Sequence, residues 1–321
     1  MEQVKKNITV SIMPTYKCKN GCNYCYLTEI DKESGEPCWN FLNKLYKRLN
    51  EVVKKYKITT IELYGGDLSL VQFSMLKEIV SICRCYCKNI HVTWGDIEKA
   101  HELGFSDEQI NISINPERRD FLDNVCKIKK NPNLGVITVV TPTVLNFSEK
   151  TILDWYNEFS GNVTFMPFNN KSITPVSYVT NYSYSHFMIR ILSYYFEHRS
   201  QYNFNITNII MLRDCLKGLY SPAMRNNIFI TPGGNFACVD FDDRGVEYFY
   251  KFPSLNLWEQ RCLTEEIDRV QYCGTCENYL NCMAEHFKTP SQISAYSLEL
   301  GDTCNGYPLL IQWCKEHSEW I

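Results

Sequence analysis

Lys17-Cys18-Lys19-Asn20-Gly21-Cys22-Asn23-Tyr24-Cys25-Tyr26 carries three cysteines, with three residues between the first pair and two between the second. Three thiolates so spaced can ligate three corners of a cubane iron-sulfur cluster. Such a cluster normally takes four cysteines, so one iron is left open for a chelating small molecule. The competing reading is structural zinc, which takes a fourth protein ligand and usually comes as paired CxxC knuckles.

The flanks of this segment set the fold class. Ile8 to Met13 reads as a strand running into the cysteines. Trp39 to Tyr56 follows as a helix with Phe41, Leu42, Leu45, Leu49, Val52 and Val53 on one face. Ile58 to Leu63 is a second strand, ending in Tyr64-Gly65-Gly66-Asp67, and a helix runs from about Val71 to Cys85. Ile90 to Thr93, Ile110 to Ile114, Val136 to Thr141 and Val163 to Met166 read as four more strands, with helices near Arg118 to Ile128 and Glu149 to Phe159. Short β-branched runs alternating with amphipathic stretches build a parallel sheet, and six strands in βα order predict an α/β fold. Ligand sites in such folds lie at the carboxyl ends of the strands, where both the cysteine segment and Gly65-Gly66-Asp67 fall. An aromatic-rich helix from about Ser183 to Tyr202 closes this region, and beyond it the composition shifts toward cysteine, glycine and turns.

The 321 residues, 45% of them hydrophobic, can bury a substantial core, and the formal net charge of -3 offers no phosphate-binding track, so nucleic acid is not the expected partner. Sixteen cysteines mean either disulfides in a secreted protein or metal ligands in a reducing compartment. Met1 to Lys6 is charged and polar, with no signal-peptide core, and no later apolar run is long enough to span a bilayer. The expectation is a cytoplasmic protein with reduced thiols and no membrane partner.

With Tyr24 directly before its last cysteine, CxxxCxxC resembles the signature of the radical S-adenosylmethionine (radical SAM) enzymes. The resemblance implies a partial (β/α)6 barrel and a 4Fe-4S cluster on Cys18, Cys22 and Cys25 whose open iron takes the amino and carboxylate groups of SAM. One electron then cleaves the carbon-sulfur bond, and the resulting 5'-deoxyadenosyl radical abstracts a hydrogen from substrate. It further implies that Gly65, Gly66 and Asp67, standing where relatives carry Gly-Gly-Glu, accept hydrogen bonds from the SAM ammonium. Thr93-Trp94-Gly95 stands for Thr-Asn-Gly, making Thr93 a cofactor contact, and Ser113, in Ile112-Ser113-Ile114-Asn115, becomes a contact for ribose or carboxylate. Arg119 or Arg118 would pair with that carboxylate through a bidentate fork; the alternative is that both are solvated residues in the first turn of a helix. Tyr24 would lie along the adenine.

Downstream, Cys273-Gly274-Thr275-Cys276, then Cys282 and a distant Cys304, follow Cys215 and the G-x4-C element Gly233 to Cys238. This resembles the SPASM extension of peptide- and protein-modifying radical SAM enzymes, a small cysteine-rich module holding auxiliary 4Fe-4S clusters. The expected domains are therefore 1–205, the barrel, and 206–321, the SPASM-like module with a C-terminal helix. Cys273, Cys276, Cys282 and Cys304 would complete one auxiliary cluster, with structural zinc the competing occupant. Cys215, Cys238 and His286, the last standing where relatives have cysteine, hold an altered second cluster or leave that site empty. Cys38, Cys83, Cys85, Cys87, Cys126, Cys262 and Cys314 fit no ligand pattern.

The resemblance implies hydrogen abstraction from a peptide, foremost a ribosomally made precursor that is crosslinked, oxidised or epimerised, with an external electron donor such as flavodoxin or ferredoxin. The alternatives are sulfatase-maturation-type oxidation of a Ser or Cys side chain in a protein, or dehydrogenation of a small molecule such as an amino sugar. With the first strand near Ile8 there is no room for an N-terminal winged-helix domain, so leader recognition is expected to fall to a separate protein or to an edge of this chain.

Overall fold

The structure, a computed structural model, describes residues 5–25, 27, 35–168, 179–219, 226–239, 249–279, 282, 304 and 306–321. Six parallel strands come in the predicted order: β1 Lys6–Ile12, β2 Tyr56–Leu63, β3 Ile90–Thr93, β4 Ile110–Ser113, β5 Gly135–Val139 and β6 Asn162–Met166. Between and after them run α1 Phe41–Lys55, α2 Phe73–Arg84, α3 Ile97–Glu102, α4 Phe121–Lys130, α5 Pro142–Leu145, α6 Glu149–Asp154 and α7 Asn181–Glu197.

Strands β3 to β6 alternate between two faces, whereas β1 and β2 break the alternation at a register shift between Ile8 and Thr9. Val10, Ile61, Ile90, Val92, Ile110, Ile112, Val136, Val163 and Phe165 are at most 2% exposed and share one core with Leu45, Leu49 and Val52 of α1 and Leu76, Ile79 and Val80 of α2. The opposite face is half-buried and more polar, carrying Glu62, His91, Thr93, Asn111, Ser113 and Thr164. Parallel sheets covered on both faces read as continuous apolar runs; a polar second face suits a sheet that curls around a ligand space.

The remaining strands are β7 Asn205–Ile206, β8 Asn227–Ile230, β9 Phe236–Val239 and β10 Phe249–Phe252. They belong to the same ten-stranded sheet, ordered β10-β9-β8-β1-β2-β3-β4-β5-β6-β7, with β8 parallel to β1 and antiparallel to β9. The Ser11 hydroxyl of β1 stands 2.9 Å from Glu62 Oε2 on β2 and 3.0 Å from Asn227 Oδ1 on β8. On α1, Lys44 and Arg48 donate to the carbonyls of Gly233 and Gly234 at 3.0 and 2.9 Å, clamping the β8–β9 turn. The helices α8 Thr207–Leu216, α9 Leu255–Cys273 and α10 Pro308–Glu316 complete the fold; α9 packs on β9 and β10, and α10 on α7 and α8.

Helix expectations are corrected at four places. The helix expected near Glu149 to Phe159 ends at Asp154, ahead of Glu158 at φ +69°, and that expected from Ser183 to Tyr202 runs Asn181–Glu197 from a Thr180 cap. The expected Trp39–Tyr56 helix stops at Lys55, because Tyr56 already pairs with Lys6 as the first residue of β2. The helix expected from Arg118 begins at Phe121, because Asn115 Oδ1 accepts the Glu117 N–H at 3.0 Å and holds the preceding residues in a turn.

Candidate functional site

The cysteine segment leaves the carboxyl end of β1 and rests on two supports. Beneath it a small second core joins Met13, Tyr16 and Leu27 to Phe229, Ala237 and Phe249 of β8, β9 and β10, with Cys25 and Tyr64 packed against it. The Tyr16 and Phe249 rings stack with centroids 5.8 Å apart. Beside it lies the Gly65–Asp67 turn. The Gly66 N–H donates to Thr15 O at 2.8 Å and the Asp67 N–H to Lys17 O at 2.7 Å. A Cβ on Gly66 would fall 2.1 Å from Lys17 O, so only glycine permits this approach. Gly21, between the first two cysteines, has φ +57°, in the left-handed region that glycine enters freely.

Asp67 is partly committed: its Oδ1 accepts the Ser69 N–H at 2.9 Å, capping the turn, and its Oδ2 lies 3.9 Å from Lys19 Nζ. Lys19, which sequence reading passed over, also donates to Ser69 Oγ at 2.9 Å and so ties the cysteine segment to this turn. Thr93 and Ser113 both fall at strand ends on the half-buried face, as expected. Behind them the wholly buried Asn124 donates to Ser113 O at 3.0 Å and Lys127 donates to Gly95 O at 2.7 Å, fixing the ends of β3 and β4 to α4.

The two arginines divide. Arg119 is exposed, and its Nη2 lies 3.7 Å from where a Gly21 Cβ would stand. Arg118 turns inward, with a side chain 16% exposed, and forks onto Asp120 at 2.7 and 2.8 Å. Its charge reaches Tyr24 and Cys22. Burial pushes the Cys22 thiol up, while the Arg118 charge pulls against that rise. Burial likewise raises the Tyr24 phenol, helped by the Cys22 charge. Burial opposes the charge on Arg118, but the Asp120 fork overcomes it and holds the guanidinium charged. An Arg-x-Asp pair directly after the fourth strand was the available sequence signal.

Six cysteines make hydrogen bonds whose sense differs. Backbone N–H groups two residues on donate to Cys18, Cys276 and Cys304 Sγ, each at 3.4 Å. Such bonds stabilise a thiolate, the form that binds metal, and are found at cluster sulfurs. Cys38, Cys85 and Cys87, outside the ligand patterns, instead donate their S–H to oxygen at 3.4 Å.

Cys273, Cys276, Cys282 and Cys304 lie close enough to feel one another's charge. Burial, against the Tyr307 bond, pushes Cys282 up to about 11, with the neighbouring thiols adding to the rise. Cys215 is fully buried, and burial with nearby Cys282, Cys314 and Asp214 drives its thiol far up. Cys238 sits on β9 near Arg261, and His286 lies outside the described residues. Among the described residues no three His, Cys, Asp or Glu groups could hold a single metal ion. Donor chemistry and hydrogen-bond sense fit iron-sulfur ligation at Cys18, Cys276 and Cys304.

No protein-family model matches the sequence, and no curated protein matches it. Among solved structures, the chain is similar to anSMEcpe with bound AdoMet at TM-score 0.68 and 14% identity, covering 98% of each chain. It is also similar to anSMEcpe with bound AdoMet and the Cp18Cys peptide, at TM-score 0.64 and 11% identity over 98% of each chain. Streptococcus suis SuiB bound to the precursor peptide SuiA matches at TM-score 0.60 and 12% identity, over 94% of this chain and 75% of that one. The chain thus shares the fold of anSMEcpe and SuiB.

Proposed function

We propose that this chain is a radical SAM enzyme that cleaves SAM reductively and abstracts a hydrogen from a peptide. The observation that carries this reading is the three-cysteine loop at the end of β1, held against the Gly65–Asp67 turn and approached at Gly21 by Arg119. Cys18, Cys22 and Cys25 would hold the 4Fe-4S cluster, and Tyr24, Gly65, Gly66, Asp67, Thr93, Ser113 and Arg119 would line the SAM site. When bound, cluster and SAM supply one-electron cleavage of the carbon-sulfur bond and a carbon radical for hydrogen abstraction. The chain's own contribution is to fix the loop, to keep water from the sheet's half-buried face and to hold one substrate hydrogen in reach.

Cys273, Cys276, Cys282 and Cys304 would hold an auxiliary cluster, and the bond sense at Cys276 and Cys304 supports this over core packing. Cys215, Cys238 and His286 are the ligands of a second one, if it forms. Electrons come from an external donor such as flavodoxin or ferredoxin, in the reducing cytoplasm. No described helix is long and apolar enough to cross a membrane.

A peptide substrate is supported by the Cp18Cys peptide bound to anSMEcpe and the precursor peptide SuiA bound to SuiB. Crosslinking, oxidation or epimerisation of a ribosomal precursor is the first reading. Sulfatase-maturation-type oxidation of a Ser or Cys is the second, favoured by the end-to-end match to anSMEcpe, whose chain is covered to 98% against 75% for SuiB. The test is anaerobic reconstitution followed by dithionite and SAM. Formation of 5'-deoxyadenosine, lost in Cys18→Ala and stimulated by Cys- or Ser-containing peptides over free amino sugars, is expected. None formed at full iron content would overturn the reading.

A further inference from the structure

The candidate cluster cysteines fall into two groups by packing. Cys18, Cys22, Cys25, Cys273, Cys282 and Cys304 are half-buried and Cys276 is exposed, so each keeps part of its surface uncovered by protein. Cys215 is 0% exposed and Cys238 2%, both inside the main apolar core. An iron-sulfur cubane is far larger than a water molecule and must touch every ligand sulfur, whereas a protein interior is close-packed, with few voids even of water size. Around Cys215 and Cys238 that room is filled. Cys215 lies near the end of α8, which packs on β6 and α10, and Leu212, Leu310 and Ile311 join it in the core at no more than 1% exposure. Cys314 of α10 is 0% exposed too and offers no open fourth donor. Cys238 belongs to β9, where it shares a face with Phe236, and Tyr250 of β10 stands directly opposite it. The guanidinium of Arg48 on α1 covers the Phe236 ring at 4.9 Å, and that of Arg261 on α9 covers the Tyr250 ring at 5.2 Å. The intervening Ala237 joins the separate small core beneath the cysteine segment. Each of the two thiols is thus enclosed by its own set of elements.

We propose that this chain has a single auxiliary metal site, on Cys273, Cys276, Cys282 and Cys304, and that Cys215 and Cys238 are core residues whose packing excludes a second auxiliary cluster. The proposal rests on the radical SAM reading above and deepens it by fixing the number of metal sites. A free cysteine packs as a small hydrophobe and is among the most buried residue types, which is how these two behave. The donor set points the same way. Cys215, Cys238 and His286 supply three donors where a cubane normally takes four, and at this site no bound SAM is invoked to complete the shell. The resemblance to the SPASM extension therefore holds for its four-cysteine set and fails for the other.

The experiment uses the whole chain, reconstituted anaerobically with excess iron and sulfide, as wild type, Cys215→Ala, Cys238→Ala and Cys276→Ser. Iron, sulfide and zinc are counted per chain, Mössbauer spectra identify the cluster type, and circular dichroism verifies the fold. Two cubanes bring about 8 iron atoms per chain and three bring about 12. The wild type should hold about 8, Cys215→Ala and Cys238→Ala the same, and Cys276→Ser about half as much. Zinc in place of about four irons, lost in Cys276→Ser, also supports the proposal, because the auxiliary count stays at one. About 12 irons in the wild type overturn it, as does the loss of about four from either alanine variant with unchanged circular dichroism. Should an alanine variant unfold, Cys215→Val and Cys238→Val fill the same core without a thiol and are judged by the same loss. A wild type that binds iron but shows no SAM-sensitive EPR signal on reduction instead overturns the radical SAM reading itself.

Discussion

Gly66→Ala should detach the cysteine segment from its support. The added methyl would stand 2.1 Å from Lys17 O, 2.5 Å from Tyr16 O and 2.6 Å from Lys17 C, all of them backbone atoms that no rotamer change can move. Restoring even a tight contact requires the two strands' loops to part by about 1 Å, which breaks or stretches the 2.8 and 2.7 Å bonds from Gly66 and Asp67 to Thr15 and Lys17. Two such bonds contribute about 1–3 kcal/mol together, so assembly of the site should weaken by about 5- to 150-fold. The assay is SAM affinity and iron retention in anaerobically reconstituted protein, with circular dichroism to verify the fold. Gly95→Ala is the control, because its methyl would meet only Asn124 Oδ1 at 3.7 Å and Lys127 Nζ at 3.9 Å, ordinary contacts. Equal SAM affinity in the two variants would refute the argument from close approach.

Cys276→Ser should remove a cluster's worth of iron, whereas Cys87→Ser should leave iron unchanged; colorimetric iron and sulfide assays compare them. Glu265, 8% exposed and with an Oε2 that has no hydrogen-bond partner among the described residues, is pushed by burial up to about 7 against the pull of Arg261. Its folded value lies above the unfolded one of 4.5, so its protonated form favours the fold and that advantage fades as pH rises toward 7. Glu265→Gln should therefore raise the thermal midpoint relative to wild type at pH 8, by a ΔΔG of about 3 kcal/mol, and much less at pH 4.5. Asn208→Leu leaves the Phe165 N–H without the Oδ1 that accepted it at 2.9 Å, while Phe165 O keeps the Tyr184 hydroxyl at 2.8 Å, and should cost about 1–3 kcal/mol in denaturant titration. A loss below 1 kcal/mol would show that water replaces it.

The barrel was legible because each βα unit is written locally: an apolar alternation, then an amphipathic helix. The site motifs were legible because they sit where those strands end. Pairing across long separations was not. Ser11 and Asn227 meet across 216 residues, and nothing within Asn227–Ile230 says that its neighbour is β1 and not β7. Two residues suffice for β7, too few for any periodic signal. Arg118 and Arg119 are chemically identical neighbours, and only the turn set by Asn115 decides which one turns inward onto Asp120 and which one is exposed. The sense of the sulfur bonds that separates Cys276 from Cys87 is likewise a matter of local backbone turn and not of spacing.

Because β8 flanks β1, the strand that launches the thiolates is an interior strand, bonded on both sides. Cutting away the C-terminal third would turn it into a bare edge rich in unsatisfied amides, the kind of surface that nucleates intermolecular pairing. The two halves are therefore not separable cassettes. A graft or truncation at their junction is expected to precipitate before any question of catalysis arises.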